Sequence, residues 1–320
     1  MTTPTLKHFT PNSTIKIPAC GSWNACNYLL EKESAYALEM ALKTQRPLLV
    51  KGDPGLGKSY LARAAAAHLD RQFITEIINI NTEGQDLLWR YDLVSRLADA
   101  HTGKKGVELD PKHYINPGVL WWAFNWADAQ EHYNKTCLHK IYCPKQDNGD
   151  YKKGVVLLID EIDKADPSLP NSLLEVLGNG GFHLPLLEKT IQTEEQQPAP
   201  LVIITTNDER ELPPAFVRRC LVLNLEIDKD IETWLLKRAN IHFSEQQCNE
   251  NIKREAAIQL IKDREDAEKQ GLIKAGLAEY LDLLQALDEM TDNTLQGQQR
   301  EAYQKALLKE IQDFVLKKVG

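Results

Sequence analysis

The chain has 320 residues, of which 42% are hydrophobic and 26% charged, and its formal net charge is −8. This composition is typical of a globular protein with a sizeable core, and the length favours one large domain and a smaller one. The acidic balance disfavours an extended nucleic-acid-binding surface, because such surfaces are basic. No apolar run is long enough for a membrane span and the first residues contain no signal-peptide core, so we expect a cytoplasmic protein.

Five short apolar segments predict the strands of one parallel sheet. Several are apolar throughout, as expected of strands covered on both faces, and helical patterns lie between them, as in α/β proteins. In chain order the predicted strands are residues 47–50, 73–80, 155–159, 201–205 and 220–225. Residues 1–20 are expected to form an irregular N-terminal arm, and the polar stretches 145–154 and 192–200 are expected to be exposed loops.

The strand pattern stops near residue 228, and the rest of the chain is charged and helical in pattern. Apolar residues at helical spacing mark the buried faces of two helices, namely Leu277, Leu281 and Leu284 on one and Leu307, Ile311 and Phe314 on the other. We therefore predict an α/β domain over residues 1–228 and a small all-helical domain over residues 229–320.

Residues 52–59, GDPGLGKS, match the phosphate-loop pattern G-x-x-x-x-G-K-[ST]. They follow a predicted strand and open an alanine-rich helix, which is the context that the motif requires. The glycines let backbone N–H groups point at an anion, and the helix N-terminus adds a positive dipole end. Lys58 would reach the β- and γ-phosphates of a nucleotide, and Ser59 would bind Mg²⁺. The residues predicted to bind the nucleotide are Gly52, Asp53, Pro54, Gly55, Leu56, Gly57, Lys58, Ser59 and Tyr60.

Two further strand ends carry polar side chains that suit phosphoryl transfer. The apolar run VVLLIDEID contains Asp160, which would help to hold Mg²⁺, and Glu161, which would polarise the attacking water. The run LVIITTND contains Asn207, which could help to hold that water. The candidate catalytic residues here are Glu161, Asn207 and Lys58, and the candidate metal ligands are Asp160 and Ser59.

Two adjacent arginines, Arg218 and Arg219, end a short predicted helix just before the last strand. Such a pair is usually part of a solvated surface. In an oligomeric nucleotide hydrolase, however, one of them can enter the neighbour's site as an arginine finger and stabilise the charge of the transition state. Both are therefore candidate catalytic residues.

In this order the motifs resemble those of AAA+ ATPases, and most closely those of the MoxR-like branch. The resemblance covers most of residues 20–225 and is carried by RPLLVKGDPGLGKSYLARAAA, VVLLIDEIDKADPSLPNSLLEVL and LVIITTNDERELPPAFVRRCLV. The segments INTEGQDLLWRYDLVSRLADAH and YINPGVLWWAF also resemble this branch.

The resemblance implies a particular architecture. The P-loop core would have a five-stranded parallel sheet in the order 5-1-4-3-2, followed by a helical lid over residues 229–320. Residues 100–154 would include a variable insertion that faces a pore or a partner, and the segment CGSWNACNY would pack beside the adenine. The resemblance also ranks Arg219 above Arg218 as the finger and assigns Lys274 as the basic sensor-2 residue of the lid.

The resemblance implies a function as well. ATP and Mg²⁺ would bind between identical subunits of a ring, commonly a hexamer, and hydrolysis would drive chaperone-like remodelling or activation of a protein partner. That partner could be a von Willebrand factor A domain protein or an effector of a defence system. ATP is favoured over GTP, because TTND stands where a Ras-type GTPase has N-K-x-D. Two alternatives stay open: a nucleic-acid-acting motor subunit of restriction or defence type, and an ATP-gated regulatory switch with slow turnover.

Two other groups of residues have less specific interpretations. His132, Cys137, His139 and Cys143 lie close together, but their spacing matches no common zinc site. The aromatic run LWWAFNW, residues 120–126, could stack nucleobases, but packing into a core or a subunit contact is favoured.

Overall fold

The computed structural model describes residues 6–102, 109–145, 149–193, 197–272 and 274–315, without the side chains of residues 102 and 312–315. Its strands are β1 (Ser13–Ile17), β2 (Cys26–Leu30), β3 (Leu48–Lys51), β4 (Arg71–Ile77), β5 (Trp89–Tyr91), β6 (Ile115–Pro117), β7 (Asp150–Asp160), β8 (Gly181–Leu184), β9 (Lys189–Gln192), β10 (Leu201–Thr206) and β11 (Leu221–Asn224). Its α-helices are α1 (Lys32–Thr44), α2 (Lys58–Leu69), α3 (Gly84–Leu88), α4 (Leu93–Thr102), α5 (Val119–Phe124), α6 (Trp126–Lys135), α7 (Ser168–Asn179), α8 (Pro214–Arg219), α9 (Ile231–His242), α10 (Glu250–Gln270), α11 (Leu277–Glu289) and α12 (Gly297–Val315). Within these ranges no helix has both the length and the apolar content that crossing a bilayer requires.

A five-stranded parallel sheet forms the centre of the α/β part, with the strand order β11-β3-β10-β7-β4. Numbered along the chain, this order is 5-1-4-3-2, so the predicted strands, their direction and their order are confirmed. Parallel neighbours need long crossover connections, which places strands that are distant in sequence side by side. The pairs Thr206–Lys51 and Ile77–Asp160 show that four strands end at the same edge of the sheet.

The sheet is covered on both faces because its strands carry apolar residues on both sides. In β7, Val155, Leu157 and Ile159 pack on the face covered by α5 to α8. Val156 and Leu158 pack on the opposite face, against α1 and the alanine-rich α2. All five side chains are fully buried. Strand β7 is therefore held rigidly between two hydrophobic layers, which positions the polar residues at its end.

The aromatic run LWWAFNW lies in the core on the first of these faces. Trp121, Trp122 and Trp126 are fully buried, and Phe124 is 2% exposed. The predicted core packing is confirmed, and the four rings are not accessible for base stacking. This part of residues 100–154 thus completes the core, and the variable insertion expected within that segment stays a prediction.

Helices α9 to α12 follow the last strand and pack around a separate hydrophobic cluster that includes Tyr280, Leu283 and Leu287. The predicted helical lid is confirmed, and the predicted division at residue 228 falls between β11 and α9. The residues predicted for its interior are either buried, as are Leu277 and Leu284, or partly buried, as are Leu281, Leu307 and Ile311. The side chain of Phe314 lies outside the described residues.

Three antiparallel ribbons have no clear signal in the sequence: β1 with β2, β5 with β6, and β8 with β9. The prediction that residues 1–20 are irregular is wrong for β1. This strand pairs with β2, and Ser13 lies opposite Leu30. The loop predicted at 145–154 ends early, because β7 begins at Asp150. These strands are short and partly exposed, so pairing with the partner strand decides their conformation more than their own residue pattern does.

The burial of β7 predicts how two leucine substitutions will differ. Leu158→Ala removes a fully buried side chain and should lower the free energy of unfolding by about 2–5 kcal/mol, because it leaves a cavity between two packed layers. Leu97→Ala, on the exposed side of α4 with 51% of the residue accessible, should change it by less than about 0.5 kcal/mol. Urea unfolding measures both. Equal losses in the two variants would contradict the packing described for β7.

Candidate active site

The loop between β3 and α2 has the backbone that a phosphate-binding loop needs. Gly52, Gly55 and Gly57 have φ angles of 148°, 80° and 87°, which residues other than glycine rarely adopt. A Cβ on Gly52 would lie 2.5 Å from the carbonyl oxygen of Leu225, so this position also needs glycine for space. Helix α2 begins at Lys58, and no side chain caps its N-terminus. Its first N–H groups and positive dipole end are therefore suited to an anion.

The ammonium group of Lys58 is held within this loop. Lys58 is 8% exposed, and its Nζ donates to the carbonyl oxygens of Gly52 at 2.6 Å and Asp53 at 2.9 Å and to Asn207 Oδ1 at 2.6 Å. Burial lowers the pKa of Lys58, and the carboxylate of Asp160 acts in the opposite direction. The structure thus brings Lys58 and Asn207 together, and in this arrangement Lys58 binds the oxygens of its own loop.

The two candidate metal ligands are in contact with each other. Ser59 Oγ donates to Asp160 Oδ2 at 2.9 Å, so the start of α2 meets the end of β7. Hydroxyl and carboxylate oxygens are hard ligands of the kind that Mg²⁺ prefers. The donor set therefore fits the predicted magnesium site, beside the loop that would hold the phosphates.

Thr205 is a site residue that the motif analysis missed. It is fully buried near the end of β10, and its hydroxyl donates to Asp160 Oδ1 and accepts from the backbone N–H of Glu161 at 2.9 Å. One side chain of the neighbouring strand therefore orients both acidic residues. The signal for it in the sequence was the pair of threonines that ends the apolar run just before Asn207.

Glu161 has an unusual backbone conformation, and its carboxylate accepts a hydrogen bond from a neighbouring lysine. Its φ angle is 60°, in the left-handed region that non-glycine residues rarely adopt. Its Oε2 accepts a hydrogen bond from Lys164 Nζ at 2.6 Å, and this bond raises the pKa of Lys164. A carboxylate has two oxygens with several lone pairs, so this pairing competes with a water for Glu161 but does not exclude one.

The loop that carries Asn207 is held by Asp163, which the sequence analysis did not single out. Asp163 is 3% exposed, and its Oδ2 accepts from the backbone N–H groups of Asn207 at 3.1 Å and Glu209 at 3.0 Å. On the outer side of the loop, Lys51 Nζ pairs with Asp208 Oδ1 at 2.8 Å. These contacts place the Asn207 side chain against Lys58.

A cavity of about 910 Å³ opens beside these residues, large enough for a nucleotide. It is lined by the loop, by residues 23–29 and by the first and third helices of the lid. Of the predicted nucleotide ligands, residues 54–60 line it, whereas Gly52 and Asp53 lie behind Lys58. Tyr60 packs edge-on against Trp23, with ring centroids 5.5 Å apart. The segment CGSWNACNY thus contributes one wall of the cleft.

The lid does not place Lys274 in this cleft. Lys274 Nζ pairs instead with Glu268 Oε1 at 2.6 Å, and the residue is absent from the cleft lining among the described residues. The start of α11 faces the phosphate loop with apolar Leu277 and Ala278. The lid arginine that lines the cleft is Arg238, which the sequence analysis did not identify. The structure therefore does not bring Lys274 to the cleft in this arrangement of the lid, and its assignment as the sensor-2 residue stays a prediction.

Arg218 and Arg219 lie apart from the phosphate loop of their own chain. They line a different cavity, of about 920 Å³, together with Arg46 and the end of α7. Both residues are exposed. The structure therefore does not bring either arginine to Lys58, and their role as fingers requires a second copy of the chain.

The four candidate zinc ligands make contacts with other groups of the chain. Nε2 of His132 and Sγ of Cys137 each lie 3.0 Å from the carbonyl oxygen of Ile115, and Nε2 of His139 lies 2.9 Å from Asp99 Oδ2. Burial raises the pKa of Cys137 to about 11, which disfavours the thiolate form that binds metals. In the part of the chain that the structure describes, no three residues of the metal-binding types form a cluster.

The comparison with protein families agrees with this geometry. Residues 47–220, more than half of the chain, match the AAA domain of the dynein-related subfamily. The chain belongs to this family. The predicted resemblance to AAA+ ATPases is thereby confirmed, and membership supports ATP hydrolysis at the level of the family.

Other comparisons add little to this assignment. A solved structure of a candidate ATPase from Cytophaga hutchinsonii ATCC 33406 is similar over 88% of this chain and 79% of that chain, with 16% identity and a TM-score of 0.39. No curated protein sequence matches the chain. The MoxR-like branch therefore stays a prediction.

The position of Thr205 predicts a specific loss of activity. Thr205→Val keeps the shape of the side chain but removes both hydrogen bonds to the acidic pair, so ATP turnover should fall about tenfold while the fold is retained. Thr75→Val is the matched control, because the buried Thr75 hydroxyl has no partner among the described residues. Steady-state phosphate release measures both variants. Full turnover in Thr205→Val would remove Thr205 from the site.

Proposed function

We propose that the protein is a Mg²⁺-dependent ATPase that hydrolyses ATP between the subunits of a homo-oligomeric ring, commonly a hexamer, and uses the energy to remodel or activate a protein partner. The observation that carries this proposal is the separation of the two halves of the site. The phosphate loop, Ser59, Asp160 and Glu161 meet at one cleft, whereas Arg218 and Arg219 line another cavity. A second copy of the chain is needed to bring Arg218 or Arg219 to such a cleft.

The residues of the cleft have complementary tasks in this proposal. The loop N–H groups and Lys58 bind the phosphates, and Ser59 and Asp160 hold Mg²⁺, which when bound neutralises phosphate charge. Thr205 holds the Asp160 carboxylate and the Glu161 backbone in position through its two hydrogen bonds. Glu161 polarises the attacking water, Asn207 helps to hold it, and Arg219 of the neighbouring subunit stabilises the developing negative charge.

Two sets of contacts within the chain compete with hydrolysis. Lys58 has to leave the carbonyl oxygens of Gly52 and Asp53 for the phosphates, and Glu161 has to accept from the water in competition with Lys164. Both exchanges replace one charge-assisted hydrogen bond with another, so neither leaves a buried charge unpaired. Binding of ATP supplies the new partners for Lys58.

The second candidate function is an ATP-gated switch with slow turnover that controls a partner effector. The ion pair between Glu161 and Lys164 favours it, since Lys164 competes with a water for the catalytic carboxylate. A switch predicts tight ATP binding with little hydrolysis until the partner is present. The resemblance to MoxR-like proteins suggests a von Willebrand factor A domain protein or a defence effector as the first partners to test.

Substitution of Glu161 separates ATP binding from ATP cleavage. Glu161→Gln should bind ATP as the wild type does but should lower turnover by at least about 100-fold, because the amide cannot act as a base. Equilibrium binding of labelled ATP and phosphate release measure the two properties. Glu175→Gln, on the exposed side of α7, is the control for the same chemical change. Wild-type turnover in Glu161→Gln would place the base elsewhere.

The proposal of a shared site is tested by the ATPase rate per subunit at increasing protein concentration. The wild-type rate should rise with concentration as subunits assemble, and Arg219→Ala should reduce the plateau on the order of 1,000-fold. Arg218→Ala, a change of the adjacent residue, should have a smaller effect. A rate that does not depend on concentration and survives Arg219→Ala would reject the ring proposal and favour the switch.

A further inference from the structure

We propose that Arg46 is a positioning residue that holds the finger arginines of its own subunit in place for the neighbouring site. The inference rests on the proposed function, because it concerns the role given there to Arg219. Arg46 lies between α1 and β3, before the phosphate loop, and the sequence analysis gave it no role. It therefore has no expected part in nucleotide binding by its own subunit.

The side chain of Arg46 binds the end of the helix that carries both arginines. Its Nη2 donates to the carbonyl oxygen of Arg218 at 2.6 Å and to that of Cys220 at 3.0 Å, and its Nε donates to that of Arg219 at 3.1 Å. These oxygens belong to the last residues of α8 and the residue after it. They have no partner within the helix because the helix ends there. One guanidinium thus satisfies three consecutive carbonyl groups.

Helix α8 depends on such a contact more than a longer helix would. It has six residues, and a helix of this length is unstable unless tertiary contacts hold it. Phe216 anchors its inner side in the core. The outer end, with Arg218 and Arg219, is exposed, so Arg46 is the side chain that restrains the direction in which this end points.

Arg46 is itself held by the strand that follows it. The backbone N–H of Leu221 donates to the carbonyl oxygen of Pro47 at 2.9 Å, and Leu48 pairs with Leu221 at the start of β3 and β11. Strand β3 leads directly to Gly52, the first residue of the phosphate loop. Arg46 therefore ties the helix of the finger to the strand that enters the subunit's own nucleotide site.

The charge arrangement also favours arginine at this position. Three positive side chains, those of Arg46, Arg218 and Arg219, line one cavity, and none of the described residues that line it is acidic. The partial negative charge at the end of α8 offsets the charge of Arg46. Arg218 and Arg219 are then left to face the cavity, where an anionic group of the neighbour would be attracted. Lysine could not reproduce this role, because its single ammonium lacks the planar fork that reaches three acceptors.

The test compares Arg46→Ala and Arg46→Lys with Arg219→Ala, and uses Lys43→Ala as control. Lys43 is an exposed cation three residues earlier, and its carboxylate partner is Glu39 of the same helix. We expect both Arg46 variants to lower kcat about tenfold and to change KM for ATP less than twofold, because only the neighbour's transition state loses its cation. Lys43→Ala should match the wild type. If Arg46→Ala does not fold, which thermal unfolding reports, the comparison rests on Arg46→Lys.

Mixed assemblies distinguish positioning in trans from a loss of local structure. Glu161→Gln subunits have an inactive cleft but an intact α8, so mixing them with an Arg46 variant should restore activity, as it should for Arg219→Ala. If mixing restores Arg219→Ala but not the Arg46 variants, or if those variants keep wild-type kcat while Arg219→Ala loses it, the inference about Arg46 is wrong. If Arg219→Ala is itself fully active, it is the proposed function that fails.

Discussion

The arrangement of the site depends on one constraint, the meeting of three strand ends at the same edge of a parallel sheet. Strands β3, β10 and β7 are neighbours in space but far apart in the chain, and their pairing in register brings the phosphate loop, Thr205 and Asp160 to the same level. The hydroxyl of Thr205 then bridges Asp160 and the backbone of Glu161. A shift of one residue in this register would turn the Thr205 side chain to the other face and break both contacts.

Several charged groups near this edge are engaged within the chain. Lys58 binds loop carbonyls and Asn207, Glu161 binds Lys164, and Lys51 binds Asp208. For Lys58, which is buried, these hydrogen bonds offset the cost of removing a charge from water, whereas the other two pairs are partly exposed and contribute little to stability. A nucleotide therefore enters a site whose groups exchange partners, and the energy of that exchange can be coupled to movement of the loop and the lid.

The lid contributes differently from what the resemblance implied. Its third helix presents apolar Leu277 and Ala278 to the phosphate loop, and its cation at the cleft is Arg238 of the first helix. Arg238 stacks on Trp234, 3.5 Å from the ring centroid, and pairs with Glu31 of the α/β part at 2.8 Å. Lid and core are thus joined beside the cleft by an arginine that is almost fully buried, so a rotation of the lid has to change this contact.

The sequence by itself determined the elements whose signal is local. The phosphate loop, the acidic pair after β7, the five sheet strands and the helical lid all follow from short runs of residues, since glycine spacing and apolar runs specify backbone and burial directly. Only the tertiary structure decided which distant groups meet. Thr205 and Asp163 act through partners on other segments, Arg46 reaches carbonyl groups more than 170 residues away, and Lys274 is turned towards Glu268. Such contacts arise from the packing of crossovers and strand ends, which no local pattern in one chain encodes.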